Sequence, residues 1–115
     1  MKIVVLSSSK LNKDKTFFET HKENIKTVLQ KFEKDTPTFI IGNVKNHTLI
    51  EYIKSLDYDV EEKRQVPGSI GNSNRKMIRE CDKVIIFSVE NSTIKEFYKY
   101  ALEHKEKENV FLHEL

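Results

Sequence analysis

Ile3-Val4-Val5-Leu6 is an unbroken apolar run that stops at Ser7-Ser8-Ser9, and the chain after it reads as a helix. The same arrangement recurs further along. Phe39-Ile40-Ile41 stops at Gly42-Asn43, Val84-Ile85-Ile86-Phe87 stops at Ser88, and Val110-Phe111-Leu112 lies near the end. Runs of this length and character suit strands buried on both faces, as in a parallel sheet between two layers of helices. In such sheets ligands bind beyond the carboxyl ends of the strands, at the point where the strand order reverses. The polar clusters that end the runs are therefore the places to look for function.

Between the runs, the spacing predicts helices. Residues 18–34 set Phe18, His21, Ile25, Val28, Leu29 and Phe32 three and four positions apart, an amphipathic stripe that Asp35-Thr36-Pro37 brings to an end. A strand over 38–42 leads to a helix over about 47–56, with Leu49, Ile50, Ile53 and Leu56 inward, and then to a short strand over about 58–62. Pro67-Gly68-Ser69-Ile70-Gly71-Asn72 carries two of the three glycines and is expected as a loop. A short helix over 73–81, a strand over 82–88, a helix over 92–105 and a strand over 109–115 complete the pattern. Strict alternation of strand and helix predicts the α/β class. The expected architecture is a Rossmann-like three-layer sandwich over 1–115, a single domain with about five mostly parallel strands flanked by helices and joined by right-handed crossovers.

Composition narrows the partners. The net charge of +2 comes from 20 basic and 18 acidic residues mixed along the chain, so no concentrated basic face for duplex nucleic acid is expected. All three arginines, Arg64, Arg75 and Arg79, fall within sixteen positions. Arginine is the better bidentate partner for phosphate, although a lysine-rich surface accounts for the clustering equally well. The single Cys81 excludes an internal disulfide framework and a cysteine-rich zinc site, and its place before an apolar run reads as a core position. The start of the chain offers only four consecutive apolar residues, too few for a secretory signal or a membrane span, so a cytoplasmic protein with no membrane partner is expected.

Several residue groups could carry chemistry. Ser7, Ser8 and Ser9 with Lys10 offer hydroxyls, backbone N–H groups and one charge where the first strand ends, a setting for phosphate or ribose oxygens, although a plain serine-rich passage from strand to loop accounts for them equally well. The dinucleotide pattern GxGxxG and the phosphate-loop pattern GxxxxGK[ST] are both absent, which argues against an ordinary NAD or ATP site, and no cofactor is expected. Gly42 and Asn43 end the second strand, Gly42 permitting a tight turn or a close backbone approach, and Asn46 or Thr48 is a candidate cap for the next helix. His47 has no second ligand at metal spacing, so no metal site is expected. Asn74 and Arg75 place an amide and a guanidinium on the helix leading into the fourth strand. Ser88, Asn91, Ser92 and Thr93 follow that strand and open a helix, where both anion binding and simple capping account for them. Glu96 lies one turn into the same helix. It reads first as a first-turn acid favoured by the helix dipole, and it is the candidate catalytic carboxylate.

With these residues in place the chain resembles the SLOG superfamily, a Rossmann-like group that includes the Lonely Guy phosphoribohydrolases, the DprA-type proteins and small bacterial and phage domains. The small domains carry a pattern similar to RNxxM-x(4)-D before an apolar strand, and here Asn74, Met77 and Asp82 keep its register. Gly42-Asn43-Val44-Lys45-Asn46-His47-Thr48 resembles the family's GGARGAD turn with one glycine kept, and Ser92-Thr93-Ile94-Lys95-Glu96 matches the tail of PGGxGTxxE. Two departures stand out: the family arginine falls on Ser73, and Val89-Glu90-Asn91 replaces the glycine cradle. The resemblance implies binding of a nucleotide or nucleotide-derived signal, such as an ADP-ribose-like molecule or a cyclic nucleotide, for sensing or sequestration in conflict between phage and bacterium. It also implies a homodimer or higher homo-oligomer in the cytoplasm of a bacterial cell, encoded by the cell or by a phage. Two alternatives stay open. One is an N-glycosidase acting on nucleotides, phosphoribohydrolase-like or deoxyribosyltransferase-like; the other is a protein-interaction module that has lost its pocket.

Overall fold

In the computed structural model the first apolar run becomes β1 (Lys2–Ser7), the middle strand of a five-stranded sheet. The structure describes residues 1–43, 47–89 and 93–115, and of His47 only the backbone. After β1 come α1 (Lys10–Lys13), α2 (Lys15–Gln30), β2 (Thr38–Asn43), α3 (His47–Ser55) and β3 (Asp59–Arg64). The second half runs α4 (Ile70–Glu80), β4 (Lys83–Ser88), α5 (Lys95–His104) and β5 (Val110–Glu114).

The strands lie in the order β3-β2-β1-β4-β5, and every pairing is parallel. The expected α/β sandwich is therefore the observed one. Parallel pairing needs a crossover between successive strands, and right-handed crossovers that run in opposite directions put their helices on opposite faces. The chain does this: α2 and α3 cover one face, and α4 and α5 cover the other.

Strand pleating divides each apolar run between the two layers. Ile3, Val5, Phe39, Ile41, Ile85 and Phe87 pack with Phe18, Ile25, Leu29, Leu49 and Ile53 beneath α2 and α3. Val4, Leu6, Ile40, Val84 and Ile86 pack with Met77, Ile78 and Ala101 beneath α4 and α5. Cys81 joins this second layer as a core residue, its thiol donating to the carbonyls of Ile78 and Lys83 at 3.3 and 3.1 Å, and burial raises the thiol's pKa. No helix among the described residues is long and apolar enough to cross a membrane.

Four differences from the sequence expectation have local causes. Helix α1 was not expected; its Leu11 is fully buried, and that anchors a turn too short to show periodicity. Helix α2 starts at Lys15 because the Asp14 carboxylate accepts the Phe17 N–H at 3.0 Å, an N-cap, and a 3-10 turn over Glu33–Asp35 follows it. The expected loop over 67–72 ends early. Gly68 turns the chain at φ 91°, Ser69 accepts the first helical bond from Ser73, and Ile70, Gly71 and Asn72 are already helical. Strand β3 extends to Arg64, and as an edge strand it needs little apolar sequence to show itself.

Tyr58 gives this edge a pH-sensitive tie. Its ring meets Phe39 edge-on at 5.3 Å, and its hydroxyl donates to Glu33 Oε1 at 2.6 Å. Burial first, then the hydrogen bond and negative charge of Glu33, push the phenol up to about 12 from 10.0. The folded state thus holds the proton more tightly, so the contribution is complete below pH 10 and is lost as pH rises from 10.0 through about 12. Urea unfolding at pH 9 and above should show the gap between the native chain and Tyr58→Phe narrowing as pH climbs. A constant gap would contradict the tie.

Candidate functional site

A cleft of about 230 Å³ opens at the carboxyl edge of the sheet, over the ends of β1 and β2 and between α1 on one side and α4 and α5 on the other. Val5, Leu6, Ile70, Ile94 and Phe97 make its apolar surface. Around that surface stand Ser7 and Ser9 from the end of β1, Asn12 and Lys13 from α1, and Thr93 from the approach to α5. Gly42, Gln65 and Asn74 complete the wall on the β2 side.

Each of these positions follows from local structure. Ser7 closes β1, and Ser9 begins α1 without a side-chain capping bond. The hydroxyls of Ser7, Ser9 and Thr93 have no protein partner among the described residues. Asn12 serves two elements at once: its Oδ1 accepts the Leu49 N–H at 3.1 Å and so caps α3 from outside that helix. Thr48, a cap candidate by sequence, instead donates its hydroxyl to the Asn12 carbonyl at 3.5 Å, and Asn46 lies outside the described residues. Lys13 is exposed and forms no ion pair among the described residues. Among the described residues lining the cleft none is acidic, and Lys13 is the one that carries a fixed charge.

The β2 side is held by a buried amide network. Gln65 follows β3 directly and Asn74 sits in α4, each only 7% exposed. Gln65 Nε2 donates to Asn74 Oδ1 at 2.7 Å and to Ser73 Oγ at 3.1 Å. The Gln65 amide lies across Gly42, so close that a Cβ at position 42 would overlap its Cδ, Oε1 and Nε2. The glycine is required here for close approach, and its backbone needs no special conformation.

Of the residues singled out by sequence, Ser7, Ser9, Gly42, Asn74 and Thr93 come together in the cleft. Others are placed elsewhere. Ser8 is buried and ties β1 to β4: its N–H donates to the Phe87 carbonyl at 3.0 Å, and its Oγ accepts the Val89 N–H at 3.0 Å. Ser88 is fully buried, and its carbonyl receives the Leu115 N–H at 2.8 Å. Lys10 holds its ammonium 4.6 Å from the centre of the Phe17 ring, a cation–π contact. Asn43 donates to Glu62 at 2.8 Å, and Glu62 also takes Lys54 at 2.6 Å, so this is a tie along the β2–β3 edge.

Arg75 is half-buried on α4 and folds its guanidinium back over Gly71, outside the lining. Glu96 is exposed in the first turn of α5 and does not line the cleft. Asn91 and Ser92 lie outside the described residues.

Sequence reading missed Asn12, Lys13, Gln65 and Phe97. Gln65 had an available signal, since it stands just past a strand's carboxyl end, but the placement of β3 was too loose to use it. Lys13 had none, because α1 is too short to announce itself. Among the described residues no group of three or more His, Cys, Asp or Glu is placed to hold a metal ion.

The site and fold define a parallel α/β domain with a ligand-sized cleft at its strand ends. No protein-family model matches the chain, and no significant match appears among curated proteins or solved structures.

The two glycines make opposite predictions. Gly42→Ala must displace the Gln65 amide and should cost about 1–3 kcal/mol, the usual range for overpacking. At Gly71 an added Cβ meets only the flexible Arg75 guanidinium, at 3.4 Å, so Gly71→Ala should stabilise by roughly 0.5–1 kcal/mol through helix propensity. Urea denaturation of both variants checks the pair; equal effects would contradict the close approach at Gly42.

Proposed function

We propose that the chain is a SLOG-like domain that binds a phosphate-bearing, nucleotide-derived small molecule in this cleft and leaves it intact. The carrying observation is the composition of the cleft. It has an apolar surface with Phe97 in it, a ring of hydroxyls and amides, and Lys13 with no described carboxylate. Such a balance favours a ligand with a flat, partly apolar body and a negative end. Position supports the same reading, since strand ends beside a reversal of strand order are where α/β sheets hold nucleotides. A volume of about 230 Å³ suits a mononucleotide better than an extended dinucleotide.

Placement also weighs against turnover. The N-glycosidase alternative needs a carboxylate at the reacting bond, and Glu96 stands outside the cleft lining. The missing glycine cradle and the serine at position 73 point the same way. Sensing or sequestering a signal nucleotide is the role that fits a site built to hold and not to cut.

Thermal-shift screening against nucleoside monophosphates, cyclic nucleotides and ADP-ribose tests the reading. A true ligand at a hundred times its Kd should add about 2.7 kcal/mol of stability. Lys13→Ala should then weaken the phosphorylated ligand by about tenfold, about 1.4 kcal/mol, and leave the matching nucleoside unchanged. Arg75→Ala, outside the lining, should change affinity by less than about threefold. Release of free base that Glu96→Gln abolishes would overturn the binding-only reading.

A further inference from the structure

The amide network has unspent hydrogen-bonding capacity, and it opens into the cleft. A side-chain amide carries two N–H donors and an oxygen with two lone pairs. Both donors of Gln65 are used, one on Asn74 Oδ1 at 2.7 Å and one on Ser73 Oγ at 3.1 Å. That leaves Gln65 Oε1 and Asn74 Nδ2 without a protein partner among the described residues. Neither is a sealed, unsatisfied atom. Both residues are more than nine-tenths buried, and both line the cleft.

The pair is orientationally locked. Turning the Gln65 amide alone would set its oxygen against Asn74 Oδ1, two acceptors face to face. Turning both amides together restores the bond between them and lets the Ser73 hydroxyl donate instead. In either state one amide nitrogen with both its N–H groups and one amide oxygen remain for the cleft, so the pair presents donor and acceptor whichever amide is which.

We propose that Gln65 and Asn74 are the specificity-determining residues of the cleft, reading the paired donor–acceptor edge of a nucleobase while the phosphate lies toward Lys13. This rests on the reading that the cleft takes a nucleotide-derived ligand. A phosphate offers acceptors only and would meet the free amide oxygen unfavourably. The edge of adenine, hypoxanthine or uracil offers a donor beside an acceptor and satisfies both atoms, as amide side chains do with base edges elsewhere. Lys13 stands on the opposite side of the sheet edge, on α1, which packs with α2 and α3, whereas Asn74 is on α4. A site that buries polar groups for one partner rejects analogues that leave them unpaired, and this is the strongest form of discrimination available to it.

Calorimetric titration with four probes tests the assignment: AMP, IMP, UMP and purine riboside 5′-monophosphate, which lacks the exocyclic group. Ribose 5-phosphate serves as the baseless control. At least one of the first three should bind about tenfold or more tighter than purine riboside 5′-monophosphate. Gln65→Leu should collapse that ratio toward one while ribose 5-phosphate affinity stays within about threefold. Ser73→Ala, which loosens the lock without altering the lining, should lower the ratio in the same direction and keeps the test open if Gln65→Leu fails to fold. Ribose 5-phosphate binding with no selectivity among the bases, or a ratio indifferent to both substitutions, overturns the amide assignment and leaves the phosphate site standing. Binding of none of the five compounds overturns both.

Discussion

Ile3, Val4, Val5 and Leu6 are all but fully buried, and that single fact constrains the rest of the molecule. A strand apolar on both faces must have helices above and below it, or it leaves several side chains in water at roughly 1.5–3 kcal/mol each. It must also have a strand on each side, because its backbone N–H and C=O groups are as deeply buried as its side chains. β2 and β4 meet that demand in parallel register, Val4 facing Ile40 on one side and Val84 on the other. Sequence neighbours can satisfy both sides only if the chain first builds outward in one direction and then returns to build in the other. The reversal that results leaves a gap at the strand ends, and the cleft is placed over one side of it.

How that gap is divided explains the site. On the β4 side it is closed by protein: the Ser8 N–H donates to the Phe87 carbonyl, and its hydroxyl accepts the Val89 N–H. On the β2 side the Gln65 amide packs over Gly42 as the wall of the cleft, which opens between that wall and α1. Small polar residues at strand ends thus do two different jobs here. Those whose hydroxyls find protein partners stitch the sheet, and those without such partners face the cleft. The type of residue is the same in both cases, so only geometry separates them.

This is also why the fold was more legible in the sequence than the site. The apolar runs at 3–6, 39–41 and 84–87 carry the sheet in their own composition, and the stripe from Phe18 to Leu29 carries its helix in its spacing. Ser7, Ser9, Gly42 and Thr93 were legible because they lie at strand or helix ends, where parallel sheets hold ligands, and Asn74 because of the pattern that precedes the fourth strand. Ser8, Asn43 and Lys10 shared that local signature, yet their partners Val89, Glu62 and Phe17 draw them away. Gln65 and Lys13 depend on contacts between distant segments, and no pattern within either segment encodes that. The resemblance to nucleotide-handling Rossmann-like domains points to the edge of the sheet where the cleft lies. It also points to Arg75, whose guanidinium folds back over Gly71, outside the cleft lining.

The central claim is that ligand binding belongs to the carboxyl edge, beside Ser7, Lys13, Gln65 and Asn74. A second surface competes with it, an open polar depression of about 700 Å³ lined by Cys81, Asp82, His104 and Lys107 at the amino ends of β4 and β5. Amide chemical-shift mapping on uniformly 15N-labelled protein, titrated with AMP, IMP and UMP in turn, separates the two most directly. The account predicts that saturable shifts gather at Ser7, Ser9, Lys13, Gln65 and Asn74 for at least one of these nucleotides. Shifts gathered instead at Asp82, His104 and Lys107, or no saturable shifts with any of them, would contradict it.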